Sequence, residues 1–286
     1  MKKNSVSGIY FTLLTNHLAK IAGDTPTPPN LDTAVEKFKH APPARLDQNE
    51  LDGLIQCIEN TTGSLSFGLD IGDNIHPADY GIVGYIFMNS ANLQQALNYS
   101  FRYKRVLNHA LDGKFFQEGD YYHYQLNNSL ATKNLAPLIE LDMASGIQLA
   151  RFLVGQDQCE RVKIKAINFQ HQPLATLEQY RRIFKCPVRF GQAKSEIVVS
   201  KDVLNLPIRS ANPQMLKMLL RKFERIEKEP FAQVSFGQLI HNYLIEHKAA
   251  NLPSASQAAQ DFRISPSSLK HYLKNEELNY SAICDS

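Results

Sequence analysis

Cysteine is scarce in this chain of 286 residues, and its four copies are scattered. Cys57, Cys159, Cys186 and Cys284 form no C-x-x-C pair, which argues against a disulfide framework or a zinc site and fits reduced thiols in a cytoplasm. Long apolar runs are missing too. The longest, Ile82 to Met88, contains Gly84 and falls far short of the roughly 20 residues that cross a bilayer. Lys2 and Lys3 lead into Asn, Ser and Gly, so no signal-peptide core forms, and no membrane association is expected. No G-x-G-x-x-G or G-x-x-x-x-G-K accompanies Gly81 and Gly84, and an apolar helix starts at once, so helix packing is their expected use. H-E-x-x-H and G-x-S-x-G are absent. Ser267 to Lys270 does spell S-x-x-K, but its companions S-D-N and K-T-G are missing. The nine histidines, among them His109, His123 and His171, stand alone in the sequence. No catalytic residue, metal site or cofactor is expected, and the chain does not read as an enzyme.

Charge of either sign is also modest. The net charge is +3, too little to demand a nucleic-acid partner. From Pro253 onward three Lys/Arg face four Asp/Glu, so this end carries −1 and the rest +4. A lone DNA reader should be basic, because phosphate neutralisation supplies most of its affinity.

What is present is a clear alternation of elements. Residues 8 to 20 carry a helical apolar face, and proline-rich breaks follow at Asp24 to Pro29 and Pro42–Pro43. Asp47 and Glu50 suggest a capping box, ahead of Leu51, Leu54, Ile55 and Ile58 at i, i+3, i+4, i+7, with Gly63 as the stop. Asn92 and Gln95 suggest a second box, opening a helix to Leu107. From Leu111 to Leu126 the period changes, and Glu118-Gly119-Asp120 between aromatic-rich runs predicts a β-hairpin. Phe115, Phe116, Tyr121, Tyr122 and Tyr124 could line a pocket or form a packed sheet face. Leu135 to Val154 reads as a buried helix with two apolar faces. Val162–Phe169, Pro187–Phe190 and Glu196–Val199 read as strands, and Leu174–Phe184 as a helix. The expected fold is α+β with a small, mainly antiparallel sheet, followed by an all-α part.

That second part begins after a linker, Pro207 to Pro213. Pro213 to Lys228 is a predicted helix with Lys217, Arg221, Lys222, Arg225 and Lys228 along it, either a solvated face or a stripe near DNA phosphates. Phe236 to His247 is a further predicted helix. Leu252 to Leu278 reads as a helical pair, Ser254–Phe262 and Pro266–Asn275, with Ser265 before Pro266 as the natural N-cap. Ala258 and Ala259 permit a close crossing, as in a helix-turn-helix. On pattern alone an ordinary helical hairpin remains open.

Pro253, Ala259, Phe262, Ile264, Ser265, Leu269, Leu273 and Glu276 spell P-x-x-x-x-x-A-x-x-F-x-I-S-x-x-x-L-x-x-x-L-x-x-E, which resembles the first helix-turn-helix of the AraC/XylS transcription regulators. Upstream, FGLDIG (67–72), YGIVGYIFMNSANLQQALNYSFRYKRV (80–106) and CPVRFGQAKSEIVVSKDVLNLPI (186–208) resemble the arabinose-binding-like sensor domain of one branch of that family. The resemblance implies a sensor and dimerisation domain over residues 1–206, a linker with a basic helix over 207–230, and a partial DNA-binding domain over 231–286. It implies base contacts from Ser267, Lys270 and His271 and phosphate contacts from Ser268 and Lys274. His271 stands where many members carry arginine, Arg263 where glycine is frequent, and Leu278 replaces a glycine. The implied partners are promoter DNA, an unknown small effector, a second copy of the chain and, in the full-length family context, RNA polymerase. The family module has two helix-turn-helix units and only the first is expected here, so DNA affinity is expected to be weak. The alternative is a stand-alone effector-binding and dimerisation protein.

Overall fold

A computed structural model describes residues 5–7, 9–22, 45–107, 111–128, 135–228, 237, 240–241, 243–244, 252–262, 265–275 and 278–284. Strand β1 (Ser5–Ser7) precedes helix α1 (Ile9–Ala22) and pairs antiparallel with β2 (Arg45–Asp47), which runs into helix α2 (Gln48–Thr62). The predicted stripe Leu51, Leu54, Ile55 and Ile58 is buried. Gly63 stops the helix at φ 66°, donating its N–H to Glu59 O at 2.7 Å. The proline-rich breaks and the Asp47 side chain lie outside the described residues.

Ser66–Gly72, given no element from the sequence, folds largely into α3 (Phe67–Asp73). Its two glycines, one turn apart, meet the long helix α6 (Leu135–Val154) backbone to backbone. A Cβ on Gly68 would stand 2.0 Å from Pro137 O, and one on Gly72 2.6 Å from Ala144 Cβ. Gly84 plays the same part in α4 (Gly81–Asn89), where a Cβ would stand 1.6 Å from Pro77 O in the preceding 3₁₀ turn Pro77–Tyr80. Helix packing, not phosphate binding, therefore explains this glycine. Next comes α5 (Leu93–Leu107), where Asn92 Oδ1 accepts from Gln95 N at 2.9 Å. In return Gln95 Oε1 accepts from Ala91 N at 2.7 Å, one residue earlier than a regular capping box places it.

The hairpin forms as β3 (Leu111–Glu118) and β4 (Tyr121–Asn128), with Gly119 at φ 59° in the turn. With β5 (Ile164–Asn168), β6 (Val188–Arg189) and β7 (Ser195–Ser200) it makes a five-stranded mixed sheet in the order β3-β4-β7-β5-β6. Only the β5–β6 pair is parallel. Strand alternation sorts the aromatic residues. Phe115, Tyr122 and Tyr124 share the inner face, where Phe115 stacks on Tyr122 at 5.0 Å and Phe101 meets Tyr124 edge-on at 5.5 Å. Tyr121 and Phe116 point the other way, and Phe116 stacks on His123. Thus three of the five pack the sheet face. On the outer face the Glu196 carboxylate lies within hydrogen-bonding distance of His123 and accepts from Gln125 and Asn168; those bonds hold its pKa down despite partial burial.

Helix α6 is buried as its two apolar faces predict, but it also hides one acid. Glu140 is fully buried; Tyr180 of α7 (Leu177–Phe184) donates its hydroxyl to Oε1, and Oε2 has no partner. Burial, with the Asp70 charge adding to it, lifts the Glu140 pKa to about 8 against the Tyr180 hydrogen bond. Helix α7 starts three residues later than its apolar pattern suggests because Thr176 caps it, its hydroxyl accepting from Gln179 N at 3.3 Å. At the other end Arg151 of α6 donates to the Ile183 and Phe184 carbonyls.

A short helix α8 (Lys201–Leu204) leads to the linker, which is stitched down rather than loose. Leu206 O accepts from Leu93 N, Ile208 N donates to Ala91 O, Arg209 N to Leu153 O and Asn212 N to Asn89 O. Helix α9 (Pro213–Lys228) then buries Met215, Leu216, Leu219 and Phe223 while Lys217 and Arg221 stay exposed. Gly237, Ile240, His241, Tyr243 and Leu244 are helical, in line with the helix expected there. The last elements are α10 (Ala255–Asp261), α11 (Pro266–Asn275) and α12 (Tyr280–Cys284). Ser254 caps α10 by accepting from Gln257 N at 3.1 Å.

Two apolar clusters fill the interior. One joins α1, α2, α3, α6 and α7 to the sheet. The other joins α4, α5, α9 and the end of α6 to Ala258, Ala259, Phe262, Leu269 and Leu273 of the C-terminal helices. Phe262 meets Tyr85 of α4 edge-on at 6.1 Å and Tyr243 at 5.3 Å. On α11, the Tyr272 hydroxyl lies 2.9 Å from His76 Nδ1 and 3.0 Å from Nε2, and His76 packs edge-on against Phe152 at 4.4 Å. His76 Nδ1 accepts from Ala78 N at 3.2 Å, which leaves Nε2 to carry the proton of the neutral ring.

Gly84→Ala should cost several kcal/mol or abolish folding, because neither side of the contact is a flexible side chain. Gly53→Ala, with nothing within 4 Å of the added methyl, should instead stabilise α2 by about 0.5–1 kcal/mol in a denaturant melt. Glu140 binds its proton more tightly folded than unfolded, so it lowers stability progressively as pH rises from about 4.5 to about 8. Glu140→Gln should flatten that decline in melting curves across the window, with its largest gain near pH 8. Tyr272→Phe should cost about 1 kcal/mol and speed amide exchange in α11 by about fivefold, with exchange in α6 unchanged.

Candidate nucleic-acid interface

Helix α11 sorts its side chains by period. Leu269 and Leu273 are buried and Tyr272 is half-buried against His76. Ser267, Lys270, His271 and Lys274 lie at i, i+3, i+4 and i+7 and are all exposed. The structure therefore brings four of the five sequence-predicted residues onto one face; the side chain of Ser268 lies outside the described residues. The helix begins with Pro266, and the Ser265 carbonyl accepts from Leu269 N at 3.0 Å. The Ser265 and Ser267 hydroxyls lie 2.7 Å apart. Two ammonium groups, an imidazole and a hydroxyl on one helical strip can meet phosphate oxygens and base edges.

The partner helix α10 supports this strip from behind. Ala258 and Ala259 are fully buried, so the two helices cross closely, and Phe262 fills the space beneath. Tyr243 donates to Asp261 Oδ2 at 2.5 Å, and Tyr280 donates to Pro253 O at 2.8 Å, tying the flanking helices to α10. Leu278 N donates to Leu273 O at 2.8 Å, so the position where a glycine was expected still terminates the helix by a backbone bond.

The electrostatics at the seat are those of a dry contact. Burial lowers the His76 pKa to about 4, and the nearby His271 pushes it the same way. Burial raises Asp79, whose Oδ2 accepts from His76 N at 2.7 Å; that bond and His271 oppose the rise. Tyr272 is pushed up to about 12 by burial and by the Asp79 charge. At neutral pH the contact is thus a neutral imidazole against a neutral phenol. His76 and its pairing with Tyr272 were not legible in the sequence. Two positions 196 residues apart share no periodic signal.

Among the described residues no group of three metal-binding side chains converges, no disulfide joins the four cysteines, and no helix is long and apolar enough to cross a membrane. Burial pushes the Cys186 thiol up to about 11, against the pull of Arg151, which leaves it a poor nucleophile. Glu140, Tyr180 and His171 make a buried polar group, but no nucleophile and base are paired there.

The family model described as the arabinose-binding domain of AraC transcription regulators, N-terminal, matches residues 39–208. The chain is 24% identical over 247 residues to the ornithine utilization regulator of Pseudomonas aeruginosa, covering 86% of this chain and 71% of that protein. The crystal structure of the transcriptional regulator CdpR from Pseudomonas aeruginosa superposes with a TM-score of 0.54 at 16% identity, covering 97% of this chain and 82% of that one, and so shares its fold. The family model spans more than half of the sequence, and the protein belongs to the AraC-type transcription regulators with an arabinose-binding-type N-terminal domain.

Proposed function

We propose that this protein is a ligand-responsive transcription regulator that reads promoter DNA with α11 and is controlled by a small effector bound to its N-terminal part. The observation that carries this reading is the division of α11: Leu269, Leu273 and Tyr272 face inward, while Ser267, Lys270, His271 and Lys274 share the exposed face. A helix divided in this way, with a second helix crossing behind it, can enter the major groove with its first turns against base edges. Lys270 would bond guanine O6 or N7, Ser267 would read permissively, and His271 would offer a ring nitrogen to a base edge. Ser268 and Lys274 would meet phosphates.

The working division is 1–206 for effector binding and dimerisation, 207–230 for the linker and its basic helix, and 231–286 for DNA. A dimer would set two such helices on promoter half-sites, in the cytoplasm, with RNA polymerase as a further partner. The effector would act by binding DNA-competent and incompetent states with different affinity. The ornithine utilization relative makes amino acids the first effector class to test. The charge of −1 from Pro253 onward favours a second reading, an effector-binding and dimerisation protein with no DNA binding of its own.

Fluorescence anisotropy on sites selected from a random DNA library separates the two. Lys274→Ala should weaken binding evenly across sequences and reduce the salt slope by about one, whereas Lys270→Ala should cost about 1–3 kcal/mol and relax preference at one base pair. Undiminished binding by the Lys270/His271/Lys274 triple alanine variant would refute the assignment of α11. Absence of any selected site would favour the second reading.

A further inference from the structure

A cavity of about 390 Å³ opens where the N-terminal domain meets the linker helix, between the end of α4, the start of α5 and the first three turns of α9. Its size falls within the range of small-molecule pockets. Three kinds of chemistry line it. Leu216 and Leu220 give an apolar wall on α9. Lys217 and Arg221, both exposed at the cavity, form no ion pair among the described residues, and the acid nearby, Glu224, is matched by Arg102 at 3.6 Å. The lip is therefore cationic, and the N-terminus of α9 adds the positive end of its dipole.

The third group is Asn89. It is 2% exposed, its Nδ2 donates to Tyr85 O at 2.9 Å, and its Oδ1 has no hydrogen-bond partner. A buried amide oxygen without a donor is costly, and a native fold rarely tolerates one without a use. It asks for an N–H or O–H from outside the chain.

We propose that this cavity is the effector site and that its ligand is a small monocarboxylate bearing a hydrogen-bond donor beside the carboxylate and a short hydrocarbon tail, as in an aliphatic α-amino or α-hydroxy acid. The carboxylate meets Lys217 and Arg221, the donor meets Asn89 Oδ1, and the tail lies on Leu216 and Leu220. The position also supplies a route to the reader. Asn89 O holds the linker through Asn212 N at 3.2 Å. One turn back on the same helix, Tyr85 touches Phe262 beneath the candidate reading helix. Occupancy therefore bears on the linker and on the C-terminal helices together. The proposal rests on the regulator reading for its purpose, but not for its test.

The test is a thermal-shift and calorimetric titration of the whole chain without DNA, up to about 10 mM ligand. L-leucine and L-2-hydroxy-4-methylpentanoate should bind saturably and raise Tm. 4-Methylpentanoate, lacking the donor, should bind at least tenfold more weakly, and leucinol, lacking the carboxylate, should not bind. The Lys217→Glu/Arg221→Glu variant, altered only at exposed positions, should keep its ligand-free Tm and lose the shift; Leu220→Trp, which fills the cavity, should lose it too. Silence with both acids, equal binding of leucinol, or undiminished binding by the charge-reversed variant would overturn the assignment. A chain that binds these acids but no DNA would leave the site standing and refute the regulator reading, and the converse separates the two failures.

Discussion

The fold rests on backbone contact between α3 and α6 at Gly68 and Gly72. Nothing larger than the Ala144 methyl separates the two helices there, so their axes come closer than larger residues allow, and α6 is fixed in place along its first half. Helix α6 as a whole then serves two interiors. Its first four turns, as far as Leu149, join the sheet and the N-terminal helices, and its end, through Leu153 and Val154, joins the cluster shared with α4, α9 and the C-terminal helices. Removing the close approach would shift both interiors, because a packed core is not continuously deformable.

The second interior draws residues from the middle of the chain and from its C-terminal helices. Ile86 of α4 and Leu269 of α11 belong to one apolar cluster, and the polar contact that accompanies it, His76 to Tyr272, is neutral on both sides. Such a contact costs less to desolvate than an ion pair and loses little when it parts. The firm connection is instead the linker, whose backbone is hydrogen-bonded in turn to α4, α5 and α6.

Much of this was readable in the residues. Local periodicity located the α2 stripe, the hairpin, the buried α6 and the helical pair at the C-terminal end, since each depends on side chains within one or two turns of each other. Ser267, Lys270, His271 and Lys274 were singled out only by the resemblance to the regulator family; helical spacing then accounts for their sharing one face. What escaped depends on partners far apart in sequence. Nothing in the local sequence singles out Glu140, and only the fold, with Tyr180 arriving from α7, makes it a sequestered acid. FGLDIG gave no element because its glycines argue against a helix locally; contact with α6 overrides that propensity. The delayed start of α7 came from Thr176, a cap that outweighed the apolar residues before it.

Helix α4 is nine residues long, about 13 Å from end to end. Gly84 locks against Pro77 near its midpoint, Tyr85 lies just beyond, and Asn89 lies at the far tip. A rod so short does not bend appreciably, and a lock at its centre acts as a fulcrum. Any tilt imposed at the Asn89 tip must reappear as a tilt along the whole lever, and the aromatic ring of Tyr85, which projects from it toward Phe262, turns a small rotation into a larger sideways displacement at its edge.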